Sequence, residues 1–433
     1  MQVVYALQDF PDEWTSAIFL AGPTPRAENP TPSWRPEALK TLEALGYEGV
    51  VFVPEAEDGN WAKNYLDQID WETAGLKLAD AIVFWVPRDL DTMPAFTTNV
   101  EFGRWVGSYK TVLGHPKDAP KTRYLDALLA DVSDGHEEWH PTLEGTLKAT
   151  LERLGDGDRR SGGERYVPLH IWQTPMFQSW YTALRAAGNR LDEADVHWTF
   201  LMPKARIVFS WVLWVKVWIE AESRFKENEW VFSRTDISTV VLYQSWVPED
   251  LKNTSAAQFR DVLMATELAL IREFRSPVRN DDGMVHELPG GSSKEDKSPL
   301  NVAKEEVREE TGLKIAARRK SGRLKQARRM VHAETGLVMA AERFRTVGSR
   351  QVAATLSSHQ AHAFAVALTD DEMSQVRQLA ASGELAASGE TQGVEEDTEL
   401  TYMEIRTLGE LLEEGLVDWS MVGMVTQALL GAV

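Results

Sequence analysis

Residues 79–88 read ADAIVFWVPR. The apolar run 81–86 is unbroken and ends at Pro87. A run this short, with no polar alternation, reads as a strand buried on both faces. The pattern recurs outward. Upstream, 17–21 (AIFLA) closes on Gly22-Pro23, and 50–53 (VVFV) closes on Pro54. Downstream, 111–113 supplies a fourth strand. Helical segments lie between: 36–45 stopped by Gly46, then 64–78, 100–106 and 124–129. Short apolar strands alternating with helices predict an α/β fold with a doubly wound parallel sheet. Ligands of such sheets bind beyond the carboxyl ends of the strands. Those ends are Gly22-Pro23, Pro54-Glu55 and Pro87-Arg88.

The rest of the 433-residue chain is long enough for a second or third core. Hydrophobic residues make up 43% and charged residues 26%, the balance of an ordinary globular protein. A net charge of −20 argues against a general binder of nucleic acid or anionic membrane, because phosphate backbones require a basic face. A small anionic ligand needs only a local pocket or a metal. The absence of cysteine removes disulfides, thiolate zinc sites and cysteine nucleophiles. It fits the cytoplasm, as does the lack of a basic leader beside Asp9, Asp12 and Glu13. The most apolar stretch, 207–219, is too short to span a bilayer and contains Lys216, so it reads as a buried strand or helix.

Residues 154–165 (LGDGDRRSGGER) have linker composition. They divide an N-terminal domain, 1–153, from a linker and Trp-rich connecting segment, 154–199, and a C-terminal domain, 200–433. The Trp-rich stretch from about 166 to 235 is expected to pack the two domains together and to begin the second. Strand-like runs follow at 239–243 and 268–274, a helix at 299–310, and a surface loop at 380–397. The basic stretch 318–329 reads as a solvated loop rather than a nucleic-acid patch.

The segment 288–313 reads LPGGSSKEDKSPLNVAKEEVREETGL. Ser298-Pro299 is a helix start and Gly312 a helix stop. Glu306, Glu309 and Glu310 stand at i, i+3 and i+4 and share one helix face. Carboxylates so close repel unless a cation binds them, and Mg²⁺ or Mn²⁺ takes such hard oxygen donors. The segment resembles the Nudix box, with Gly291, Glu306, Glu309, Glu310 and Gly312 at the family spacing. The resemblance implies an α/β/α sandwich with a mixed sheet, metal held by the three glutamates, and hydrolysis of a nucleoside diphosphate linked to another group. Two positions depart from the box: Lys297 replaces its first Glu, and Glu305 replaces its Arg. If these positions meet in the fold, the exchange preserves an ion pair in reverse orientation. Flanking residues 273–279 and 286–291 resemble the ADP-ribose pyrophosphatase branch, which makes Arg275 and Arg279 candidate phosphate ligands. Arg350-Gln351 and Glu399 also fit that branch, Glu399 as a candidate late carboxylate.

In the N-terminal domain, Glu101 is expected near a helix start, where the helix dipole would keep it ionised. Glu72 lies on the preceding helix. Two such carboxylates suit N-glycoside chemistry, one at the anomeric carbon and one handling the proton of the leaving base. The pattern of 18–23, 68–72, 79–88 and 97–103 resembles the nucleoside 2-deoxyribosyltransferases and related N-glycosidases. The resemblance covers about residues 15–130 and implies a flavodoxin- or Rossmann-like sheet, with no cofactor. It makes Glu101 the nucleophile and Glu72 or Asp70 the second acid. Gly22, Pro23, Asp80, Trp85, Arg88 and Asn99 then bind substrate, with Trp34 and Arg35 lining the pocket.

The combined expectation is a bifunctional enzyme of nucleotide metabolism. One domain cleaves or transfers at an N-glycosidic bond. The other, with Mg²⁺ or Mn²⁺, hydrolyses a derivative such as ADP-ribose. Removing the base of a dinucleotide such as NAD would connect the two. The alternative is that one domain is a silent nucleotide sensor regulating the other. The expected partners are small nucleosides and nucleotides and, by resemblance, further copies of the chain.

Overall fold

The structure is a computed structural model and describes residues 1–433 except 26–30, 58–63, 203–206, 245–254, 293–296, 316–342, 384–400 and 432–433. It divides into two compact units, Met1–Arg234 and Thr235–Val433.

The first unit is built on five strands: β1 Gln2–Tyr5, β2 Ala17–Ala21, β3 Val50–Val53, β4 Ala81–Trp85 and β5 Thr111–Gly114. They pair in the order β1-β3-β2-β4-β5, every pair parallel. Each residue of β2, β3 and β4 is buried, as unbroken apolar runs require. Helices α1 Arg35–Ala44, α2 Tyr65–Leu78, α3 Phe96–Trp105, α4 Arg123–Val132 and α5 Leu143–Leu154 cover the sheet. Phe19, Phe52 and Phe84 point to Trp71, Phe102 and Leu125 of α2, α3 and α4. Ile18, Val51 and Val83 point to Ala38 and Leu42 of α1 and Leu147 of α5. Helices therefore lie on both faces. The chain leaves β2 toward one face and β4 toward the other, so a crevice opens between their carboxyl ends.

Sequence pattern located β2, β3, β4 and β5 but not β1 or α5. Helix α3 begins at Phe96, before the apolar run, because Ala95 takes a left-handed N-cap conformation (φ 62°, ψ 35°) that turns the chain after Pro94.

The expected linker is instead part of this unit. Arg160–Ser161 pairs with Glu13–Trp14, and the Arg160 side chain is fully buried. Helix α6 Pro175–Ala186 packs Phe177 and Tyr181 on an antiparallel sheet of β6 Arg190–Met202, β7 Ile207–Ile219 and β8 Arg224–Arg234. Trp211, Leu213 and Val215 of β7 are buried in that core. The Trp-rich stretch thus completes the first unit rather than opening the second. The apolar run 207–219 is a strand, and no helix among the described residues is long and apolar enough to cross a membrane.

The second unit has a mixed seven-stranded sheet. Its strands are β9 Ile237–Gln244, β10 Glu267–Phe274, β11 Met284–Glu287, β12 Gly290–Ser292, β13 Arg345–Gln351, β14 Gln360–Leu368 and β15 Tyr402–Thr407. The order is β11-β10-β9-β14-β13, with β12 on β9 and β15 on β10. Only β9–β14 is parallel among these pairs. Beyond α7 Ala256–Met264, helices α8 Pro299–Thr311 and α9 Asp370–Ser382 pack on one face through Ala303, Val307, Met373 and Val376. Helices α10 Leu408–Glu414 and α11 Trp419–Leu430 cover the other through Leu411, Val425 and Leu429. Residues 318–329 and Glu399 lie outside the described residues, as does 384–397 of the expected surface loop; α9 runs into the start of that loop.

Candidate functional site

In the first unit the acids gather beyond β2 and β3. Arg35, buried at the start of α1, ties the strand ends together. Its Nε donates to Leu20 O (3.0 Å), Nη2 to Gly22 O (2.8 Å), and Nη1 to Thr24 Oγ1 (3.0 Å) and Glu55 Oε1 (2.5 Å). Its charge acts on Glu55, Glu101 and Glu72 alike. Glu72 on α2 is partly buried and accepts from Gln68 Nε2 at 2.8 Å. Asp70, the neighbouring candidate, is exposed. Two residues apart is about half a helical turn, so the two acids point to opposite faces, and Glu72 and not Asp70 shares the crevice.

Glu101 sits in the second turn of α3 rather than at its start. Burial, and then the charge of Glu72, push its carboxyl up to about 7 against the pull of Arg35. Burial likewise raises Glu72, opposed by Gln68 and Arg35. The helix terminus therefore does not hold Glu101 ionised, because the helix dipole fades beyond the first turn and desolvation dominates. Among the described residues no group donates a hydrogen bond to the Glu101 carboxylate. Both carboxyls are raised above their ordinary range, Glu101 in part by the charge of Glu72.

The remaining candidates have specific places. Gly22 (φ +150°) lets the turn pass under Trp85, since a Cβ there would stand 2.2 Å from Trp85 O and 2.8 Å from the Trp34 ring. Trp34 donates its Nε1–H to Pro23 O at 3.1 Å, so Trp34 and Trp85 are buried backing for this turn. Arg88 is buried, with Nη2 on Asn99 Oδ1 and Nη1 on Lys121 O. It clamps the start of α3 to the 120–121 loop.

Asp80 does not join the site. It precedes β4, at the amino end of the sheet, and is fully buried. Both oxygens face Arg160 (2.7 and 2.5 Å), and they also accept from Ala17 N (2.8 Å) and Leu169 N (3.1 Å). Its acceptor capacity is taken by the fold itself. Glu55 and Gln68 are given no role of their own in the sequence reading, although Glu55 stands at a strand end after Pro54 and Gln68 opens the 68–72 stretch.

In the second unit α8 runs as expected from the Ser298 N-cap and Pro299 to Gly312 (φ 68°). Glu306 lies against Gly291, where a Cβ would meet Glu306 Oε1 at 2.4 Å. Glu310 accepts from Gly290 N at 2.8 Å and is pushed up to about 9, first by burial and then by Glu306, Glu273 and Glu287. Glu309 is paired with Arg308 at 3.2 Å. Arg275 is held by Glu273 and by Glu287 at 2.9 Å, whereas Arg279 is exposed. Lys297 and Glu305 do meet, at 3.1 Å. The oxygen-rich set of Glu306, Glu310, Glu273 and Glu287 suits a hard divalent cation chemically. Among the described residues, however, no three side chains already converge as a metal cage. Arg350 lies on β13, bonded to Gln427.

Sequence reasoning also missed a polar chain on the α8 face. Ser349 Oγ meets His362 Nδ1 (2.6 Å), and His362 Nε2 meets Asp236 (3.3 Å). His362 pairs with Ser238, which pairs with Gly291, so this chain shares a row with Glu306. Only strand register brings it there.

The family described as nucleoside 2-deoxyribosyltransferase like matches residues 15–119. That stretch is a nucleoside 2-deoxyribosyltransferase-like domain, which supports a role in nucleoside metabolism as a transferase or glycosidase. No curated protein matches the chain.

Proposed function

We propose that the first unit cleaves the N-glycosidic bond of a nucleoside or nucleotide through Glu101. The observation that carries this reading is the partly buried Glu101–Glu72 pair at the strand ends, inside the matched stretch, with no described residue donating a hydrogen bond to Glu101. The Glu101 carboxylate bonds to the anomeric carbon as the carbon–nitrogen bond breaks. The bonding pair leaves with the base, which takes a proton from Glu72. A second base or water then attacks the sugar, gives its proton to Glu72 and releases Glu101. Arg35 stabilises the ionised nucleophile and steadies the turn at Gly22.

The test is chromatography of products from 2′-deoxynucleosides and their monophosphates, incubated with the full chain in EDTA. Free base is expected, and at least a thousandfold less from Glu101→Ala. If neither substrate class yields base, with or without an acceptor base, the reading fails.

We infer that the second unit hydrolyses a phosphoanhydride such as that of ADP-ribose. The support is the Nudix-like spacing of Glu306, Glu309 and Glu310 and the acid-rich surroundings of Glu310. Mg²⁺ or Mn²⁺, when bound by these glutamates, would polarise the phosphate and lower the pKa of water. The chain's own residues orient the donors: Gly290 N fixes Glu310, and Gly291 leaves room for Glu306. The Lys297/Glu305 exchange in the box supports a second reading, in which this unit binds a nucleotide without turnover. Metal titration separates the two. Hydrolysis requires metal-dependent release of phosphate products that Glu306→Gln abolishes; a sensor retains nucleotide and releases none.

A further inference from the structure

The second unit contains a cavity of about 220 Å³ between the edge strand β13 and helix α11. Four of its lining residues are too small to fill it: Gly348, Ala361, Ala363 and Gly423. The groove opens to solvent beside Trp419, and larger side chains at these positions would occupy it. Gly423 carries a cost of its own, because a glycine inside a helix is a poor helix former. A Cβ at Gly423 would meet nothing within 4 Å. The space is therefore kept open by sequence.

Its rim carries recognition groups. Trp419 is 90% exposed beside the opening. Gln351 and Gln427 supply amides. The Arg350 guanidinium has Gln427 Oε1 as partner at 3.4 Å, and no carboxylate of the described residues pairs with it. In a chain of net charge −20, an arginine that no described carboxylate pairs with is suited to an anionic ligand. An exposed indole stacks on a flat ring, and amides read a ring edge.

The cavity is separate from the α8 carboxylates. Along β14, Ala361, Ala363 and Ala365 share one face, and Ala365 lies in the core beneath α10 and α11. Phe364 and Val366 lie in the opposite core, beneath α8.

We propose that this cavity is a second binding site, for a planar aromatic ring that carries a negative charge: the chemistry of a nucleoside monophosphate. The ring stacks on Trp419 and occupies the space over Gly423, and its phosphate meets Arg350. The site shares none of the α8 carboxylates, although Arg350 and Gln351 also fit the pyrophosphatase-like pattern of the sequence.

The test is calorimetric titration of the full chain with AMP, adenosine and inorganic phosphate in EDTA. AMP is expected to bind, adenosine roughly tenfold more weakly, and phosphate alone not measurably. Gly423→Leu fills the cavity and should weaken AMP at least tenfold, while its thermal midpoint stays level or rises. Trp419→Ala alters only an exposed side chain and should weaken AMP roughly tenfold without unfolding. AMP binding that both variants leave unchanged, or no AMP binding at all, overturns the proposal.

Discussion

The chemistry of the first unit depends on the protonation of one residue. Glu101 is an acid raised from 4.5 to about 7. The folded state therefore holds its proton more tightly than the unfolded chain does. Stability linked to that proton is complete below pH 4.5 and is lost as pH rises through about 7. The loss at pH 8 is on the order of 2–3 kcal/mol. Glu101→Gln should be more stable than the parent at pH 8 and show no advantage at pH 4. Urea unfolding at both values checks this, and an equal difference at each would refute the burial argument. Glu72→Gln removes the neighbouring negative charge. The acid limb of base release should then move to lower pH while the rate falls. Sequence named Glu101 but assigned its charge wrongly, because desolvation depends on what packs over a side chain and not on its neighbours in the chain.

Elements were the most legible scale. Continuous apolar runs ending at Pro or Gly marked β2, β3 and β4, and the Ser298-Pro299 to Gly312 pattern marked α8 to within a residue. These signals are local, since caps, breakers and periodicity act within a turn or a strand. The Lys297–Glu305 pair tests how such an element is fastened. Both side chains are substantially exposed, at 39% and 44%. Lys297→Glu should lower stability by less than about 1 kcal/mol, and adding Glu305→Arg should restore it. A double-mutant cycle by thermal melts reads the coupling; no restoration would mean the pair is incidental.

At the scale of the whole molecule, the Asp80–Arg160 pair joins segments 80 residues apart. Asp80 also accepts from Ala17 and Leu169, so one carboxylate links β2, the start of β4 and the chain beyond α5. Breaking a buried pair strands the other charge, at a cost of about 3–5 kcal/mol. Asp80→Asn should speed amide exchange in β2 and β4 by orders of magnitude while leaving KM unchanged for molecules still folded. A raised KM at undiminished protection would restore Asp80 to the substrate site. The same pair explains why a Gly- and Arg-rich stretch that resembles a linker is part of the first unit.

The sequence by itself determined the buried strands β2, β3 and β4, the ends of α8, the acids nominated for chemistry and the resemblance of about residues 15–130, because each rests on residue type and short spacing. Tertiary structure alone decided that Glu72 rather than Asp70 faces Glu101, that Asp80 belongs to Arg160, that the first unit ends at Arg234, and that Ser349, His362 and Asp236 meet. Those outcomes depend on which distant surfaces exclude water together, and no local pattern encodes that.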